Sequence, residues 1–175
     1  MKNFRFFIIG LLLATMALFS HQPAIAAGPM TYYTQNYLID YLFRAQASGT
    51  PTTWYIALYT TCPTDTAGSG TEVANANAYA RQSVGANALT NWAATQGGTA
   101  VSSGTTGQTS NLATITFPTV TTATWGTINC WALVDSGTWG GGNVWIYAPV
   151  TTPPTLTVGA TASFAIGALT FTLTP

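Results

Sequence analysis

The apolar positions change rhythm along the chain, and each change predicts a change of structure. Between Thr34 and Ala45, the residues Leu38, Tyr41, Leu42 and Ala45 recur at the i, i+3, i+4, i+7 spacing of one helical stripe. That spacing predicts a helix over 34–45, capped by Thr34 and ended by Gly49 and Pro51. From Trp54 the pattern becomes that of strands. Trp54-Tyr55-Ile56-Ala57-Leu58-Tyr59 is apolar on both alternating faces, which predicts a central strand covered on both sides. Segments 79–84, 112–117, 125–134 and 144–148 predict further strands, the last two joined as a hairpin through the glycine-rich turn 137–142. Within 125–134, Ile128, Cys130, Ala132 and Val134 share one face. Leu169, Phe171 and Leu173 alternate with Thr170, Thr172 and Thr174, the pattern of a half-buried strand. Short strands separated by Gly, Pro and Asn turns predict an all-β fold. It is an antiparallel β-sandwich or jelly-roll-like domain with one N-terminal α-helix.

The first 26 residues follow another pattern. Lys2 and Arg5 precede an apolar run over 6–19, interrupted only by Gly10 and Thr15. His21-Gln22-Pro23 breaks it, and Ala24-Ile25-Ala26 has the small-x-small form of a signal peptidase site. The run falls short of the ~20 apolar residues of a spanning helix. These features predict a secretory signal peptide over 1–26 and a single domain over 27–175, with no membrane contact after cleavage. A start at Met30 is the alternative.

Composition narrows the function. Only 5% of the chain is charged, against about 25% in an average soluble protein. From Ala27 onward it has neither lysine nor histidine. Its ionisable side chains there are Asp40, Arg44, Asp65, Glu72, Arg81 and Asp135, with tyrosines and two cysteines. Proton-transfer and nucleophilic chemistry at neutral pH draws mostly on groups this segment lacks. Two arginines against four acids cannot form the basic stripe that neutralises phosphates, so nucleic acid is not an expected partner. No cofactor, no metal and no catalytic residue are expected. A nearly neutral surface has little mutual repulsion, which favours association with copies of itself.

Few residues invite a specific reading. Cys62 and Cys130 are the only cysteines; in an oxidising compartment they form a bridge, and otherwise they are two separate thiols. Glu72 and Arg81 flank a loop of small residues and read as a structural ion pair, bidentate at the guanidinium. Asp65, Glu72 and Asp135 are the acids available to a glycosidase pair or a calcium site; their settings beside Pro63-Thr64 and Ser136-Gly137 suit turn and cap carboxylates better. Tyr79, Trp92 and Trp139 fall near loops and are the contact aromatics, suited to a sugar ring or a partner protein. Trp54, Trp125, Trp131 and Trp145 fall in strand patterns and read as core. Gly140-Gly141-Gly142 lacks the lysine and strand-to-helix setting of a phosphate loop.

An ordered set of segments carries a resemblance. Tyr55-Ile56-Ala57-Leu58-Tyr59-Thr60-Thr61, Pro63-Thr64-Asp65, Gly70-Thr71-Glu72-Val73 and Tyr79-Ala80-Arg81-Gln82 are followed by Ile115-Thr116-Phe117-Pro118, Trp125-Gly126-Thr127-Ile128 and Ala132-Leu133-Val134-Asp135. Val144-Trp145-Ile146-Tyr147-Ala148 and Gly167-Ala168-Leu169-Thr170-Phe171 complete the set. From about Thr31 to Leu173 the chain resembles a family of small bacteriophage virion proteins called phage tail fibre proteins, related to capsid decoration proteins. The resemblance implies a structural role in the virion, with copies of itself and other virion proteins as partners. The leader is the main departure, since the family start resembles Met30 onward. It keeps open an exported, periplasmic or secreted adhesion module that contacts a cell-surface glycan. The cysteine pair is the second departure, because polar residues are common at those positions in the family.

Overall fold

The computed structural model describes residues 17–18, 24–26, 30–46, 49–66, 69–86, 88–98, 100–103, 105 and 107–173. The expected leader lies outside these residues except for two short strands, β1 (Ala17–Leu18) and β2 (Ala24–Ala26). Their backbones run parallel to β12 (Ala162–Phe164) and β13 (Leu169–Thr172).

The fold is all-β with one helix, and β3 (Thr53–Thr61) is its axis. Along one edge β3 pairs antiparallel with β9 (Cys130–Val134). Its other edge is shared by β5 (Gln82–Ala86), opposite Thr53 to Ile56, and β4 (Thr71–Glu72), opposite Tyr59 and Thr61. β10 (Val144–Pro149) completes the five-stranded sheet outside β9. A central strand has no solvated side, and Ile56, Ala57, Leu58 and Tyr59 are all buried.

The two faces of this sheet pack differently. Ile56, Leu58, Trp131 and Leu133 point into the main core. They meet Ile115 of β7 (Ile115–Thr116), Leu156 of β11 (Thr155–Leu156), Phe164 of β12, and Leu169 and Phe171 of β13. These strands form the second layer of the sandwich, together with β6 (Gln108–Ser110) and β8 (Gly126–Thr127). Trp131 stands edge-on to Phe171 at 5.3 Å and to Phe164 at 6.3 Å between ring centroids. Such pairs add about 0.5–1.5 kcal/mol beyond the area they bury. The opposite face carries the smaller residues Ala57, Cys130, Ala132 and Val134. The segment after β3 folds back over it. Cys62 is bridged to Cys130, and Asp65 Oδ1 accepts from Tyr147 Oη at 3.0 Å.

The helix α1 spans Tyr32–Phe43, two residues earlier than the spacing predicts. Thr31, not Thr34, is its N-cap, and its Oγ1 accepts from Thr34 N. Thr34 sits inside the first turn and donates to the Trp145 carbonyl at 2.7 Å; Thr31 donates to that of Val144 at 2.7 Å. Both hydroxyls therefore anchor the helix to β10. The docked face consists of Tyr33, Thr34 and Tyr37, with both rings against Trp145 at 5.1 and 4.8 Å. The expected stripe is displaced: Leu38 is half-buried, and Tyr41, Leu42 and Ala45 are exposed. The helix ends before Gly49 because Ala45 takes a positive φ of 50° and Gln46 N closes onto Asp40 O.

Four strand expectations also need correction. The run 125–134 is two strands, broken where Ile128 N bonds Pro154 O and Asn129 N bonds Tyr59 O. The break places Ile128 in the main core, away from Cys130, Ala132 and Val134. Strand 79–84 begins only at Gln82, and of the expected 112–117 strand only β7 at Ile115–Thr116 is extended, with β6 a separate strand before it. In β13 Thr170 is buried along with Leu169 and Phe171, its Oγ1 donating to the Gly167 carbonyl at 3.2 Å, while Leu173 is exposed.

Candidate functional site

The most organised polar cluster lies where β4 meets the loop between β9 and β10. Glu72 leaves β4 beside the end of β3, and Arg81 precedes β5. Both side chains are nearly inaccessible, at 7% and 3% exposure. Arg81 Nε donates to Glu72 Oε1 at 2.8 Å and Nη2 donates to Oε2 at 2.9 Å, a bidentate fork. Arg81 Nη1 donates to the carbonyls of Ser136 at 2.7 Å and Gly141 at 2.8 Å. Burial works against the guanidinium charge, and the Glu72 carboxylate overcomes it, raising the Arg81 pKa above its ordinary value.

Tyr79 Oη donates to Glu72 Oε1 at 2.9 Å and accepts from Leu58 N at 3.0 Å. Burial, then the Glu72 charge, push its phenol far above the ordinary tyrosine value. Tyr59 lies beside the same pair, and burial followed by Glu72 pushes it up to about 12. Neither phenol is a proton donor of use at neutral pH.

Asp135 closes the base of the loop. Its Oδ1 accepts from Asn143 N, and its Oδ2 accepts from Asn143 Nδ2 at 2.9 Å and Trp145 Nε1 at 3.0 Å. Burial would raise its pKa, but the hydrogen bonds from Asn143 and Trp145 prevail and hold it below the ordinary carboxylate range. Gly142, at φ +71°, fits because an added Cβ would collide with Asp135 and Ser136.

Trp139 crowns this loop at 46% exposure. Its Nε1 donates to Val73 O at 2.8 Å, and Gly140 N reaches Glu72 Oε2 at 3.3 Å. Beside it lies an open cleft of about 220 Å³, bounded by Tyr59, Glu72, Arg81, Gly140–142 and Asn143.

The sequence-derived candidates thus fall in three places. Glu72, Arg81, Tyr79 and Trp139 come together, although Tyr79 is only 5% exposed and lies beneath the surface, out of reach of a partner. Trp92 stands apart, half-buried, with its ring edge-on to Phe171 at 5.3 Å. Cys62 and Cys130 form a disulfide with Cα atoms 5.2 Å apart, on the other side of β3's end. Asp65 is occupied by Tyr147 and Asp135 by the hairpin. Among the described residues, no group of three His, Cys, Asp or Glu could hold a metal ion. Sequence reasoning missed the Ser136 and Gly141 carbonyls, since backbone acceptors 55 and 60 positions from Arg81 leave no residue signature.

The cluster therefore staples a surface loop, and each charged atom in it has a protein partner. A comparison with curated proteins finds no match. The family model described as Podophage GP4 fiber I protein gp80 matches residues 29–172, which takes in the helix and both layers of the sandwich, and the chain belongs to that phage fibre family.

Proposed function

We propose that the chain is a structural subunit of a phage virion, of tail fibre or capsid decoration type, acting by self-assembly and surface contact and not by catalysis. The observation that carries this reading is the family match over residues 29–172. Two surface features support assembly. The mature segment has little charge to repel a copy of itself. The helix face opposite β10 turns Tyr32, Ile39, Leu42 and Phe43 to solvent, with Phe43 at 81% exposure. Copies of the chain and other virion proteins are the partners this reading requires, and the virion is its location. Size-exclusion chromatography with light scattering tests the self-association, with a discrete multimer as the expected result. A strict monomer at high concentration counts against it. Mass spectrometry of purified virions tests the location.

The second reading is an exported adhesion or carbohydrate-binding module on the same fold. It is favoured by Trp139, a large aromatic held half in solvent on a braced loop. Mature protein in culture supernatant, beginning at Ala27 or Gly28, would support it. Its absence there, with the protein found in virions, supports the first.

A further inference from the structure

We infer that the cleft beside Trp139 is a subsite for one ring of an uncharged sugar; this rests on the carbohydrate-binding reading and gives it a site and a ligand class. Size sets the first limit. The cleft holds about 220 Å³, below the ~300–1,000 Å³ of sites for drug-sized ligands. It fits one pyranose ring rather than a buried oligosaccharide.

Preorganisation is the second argument. The polar edge of the Trp139 indole is satisfied by Val73 O, so what it offers to solvent is apolar ring. Its loop is fixed from beneath at Ser136 O, Gly141 O and Gly140 N. A ligand therefore meets a platform whose ordering cost is already met by folding. The partially positive C–H face of a pyranose suits the negative face of an aromatic ring. Its hydroxyls would face the rim of the cleft formed by Gly140–142 and Asn143.

Charge sets the class. Among the described residues Arg81 is the only cation lining the cleft, and it already donates to both Glu72 oxygens and to two carbonyls. From Ala27 onward the chain has no lysine or histidine to replace it. A sialic acid or phosphorylated sugar would find no counter-ion and would lie beside the Glu72 carboxylate. A neutral hexose or N-acetylhexosamine carries neither penalty. With a single ring in contact, the affinity falls on the order of 1–10 mM.

The test is a heteronuclear NMR titration of the full chain with methyl glucoside, methyl galactoside and N-acetylglucosamine, and with N-acetylneuraminic acid as the anionic probe. The expected result is a shift of the Trp139 Nε1–H and Gly140–142 resonances by at least one neutral sugar, with no response to neuraminic acid. Trp139→Ala should weaken that binding at least about tenfold. Trp139→Phe keeps a ring without the Val73 bond and should retain part of it. No shift in the wild-type loop at tens of millimolar neutral sugar overturns the inference, as does preference for neuraminic acid or undiminished binding by Trp139→Ala. A glycan array on the same protein separates the two failures. Array binding without loop shifts removes this site and leaves the adhesion reading, while silence in both assays removes both.

Discussion

Arg81 holds both carboxylate oxygens of Glu72, at 2.8 and 2.9 Å, under a surface that leaves neither side chain more than 7% exposed. The pair replaces two hydration shells with a closed set of partners, so removing one member strands the other. Glu72→Gln should destabilise the protein by about 3–5 kcal/mol, the usual cost of an uncompensated buried charge. Urea denaturation of Glu72→Gln, Arg81→Leu and the double variant checks this. The double variant should lose clearly less than the sum of the singles.

The disulfide closes a loop across 68 positions of chain. In the chain-entropy account such closure stabilises by about 4 kcal/mol. Cys62→Ser with Cys130→Ala should lower the denaturation midpoint accordingly, and reduction of the wild type should have a similar effect. Unchanged midpoints in both would count against a bridge that matters.

Asp135 gives an acid limb to stability. Its folded pKa lies below the ordinary ~3.9 of an unfolded aspartate. Its contribution is therefore present above about pH 4 and is lost as pH falls through the folded value. Asp135→Asn should be less stable than wild type at pH 6, with the gap narrowing progressively below about pH 4.

Tyrosine gives the alkaline limb. Tyr59 is pushed up to about 12 and Tyr79 further, so both prefer to be neutral when folded. Their contribution is intact below the unfolded value of about 10 and is lost as pH rises through the folded values. Tyrosinate absorbance should show these two phenols ionising only on unfolding, and Tyr79→Phe should remove part of the effect.

The threonine anchors predict a local effect. Thr34→Val removes the bond to Trp145 O, which keeps Thr31 N and Oγ1 as donors, so the loss is that of one hydrogen bond, about 1 kcal/mol. Hydrogen exchange should quicken along Tyr32–Phe43 and stay unchanged in β3 and β9. Uniformly faster exchange would show that the helix belongs to the core.

What the sequence revealed depended on how locally each feature is determined. β3 was legible because six consecutive apolar residues suit few settings other than a covered strand. The hairpin was legible because Asp135, Ser136 and the glycines sit beside one another in the chain. The helix was legible, but its orientation was not. Thr34, Tyr33 and Tyr37 on one side and Ile39, Leu42 and Phe43 on the other both satisfy helical spacing. Contacts with β10 decide between them: the hydroxyl bonds of Thr31 and Thr34 and the packing of Tyr33 and Tyr37 on Trp145. Tyr79 looked like a loop aromatic because the chain there is irregular. Its burial comes from Phe117 and Trp125, which lie far along the sequence. The cleft was not legible at all, since it is made where β4, the segment before β5 and the hairpin loop converge.

The placement of β3 against β9 also governs how the protein can be made. On the ribosome, the segment from Trp54 to Tyr59 emerges long before its neighbour exists. The 68 positions from Cys62 to Cys130 take roughly 3–14 s to synthesise at ~5–20 residues per second. For that interval an uncharged, aromatic, β-prone ribbon has only β4 and β5 to pair with and lacks β9 along its other edge. Fragments ending before Cys130 should accordingly be sticky and unfolded, and intact subunits should mature late and all at once.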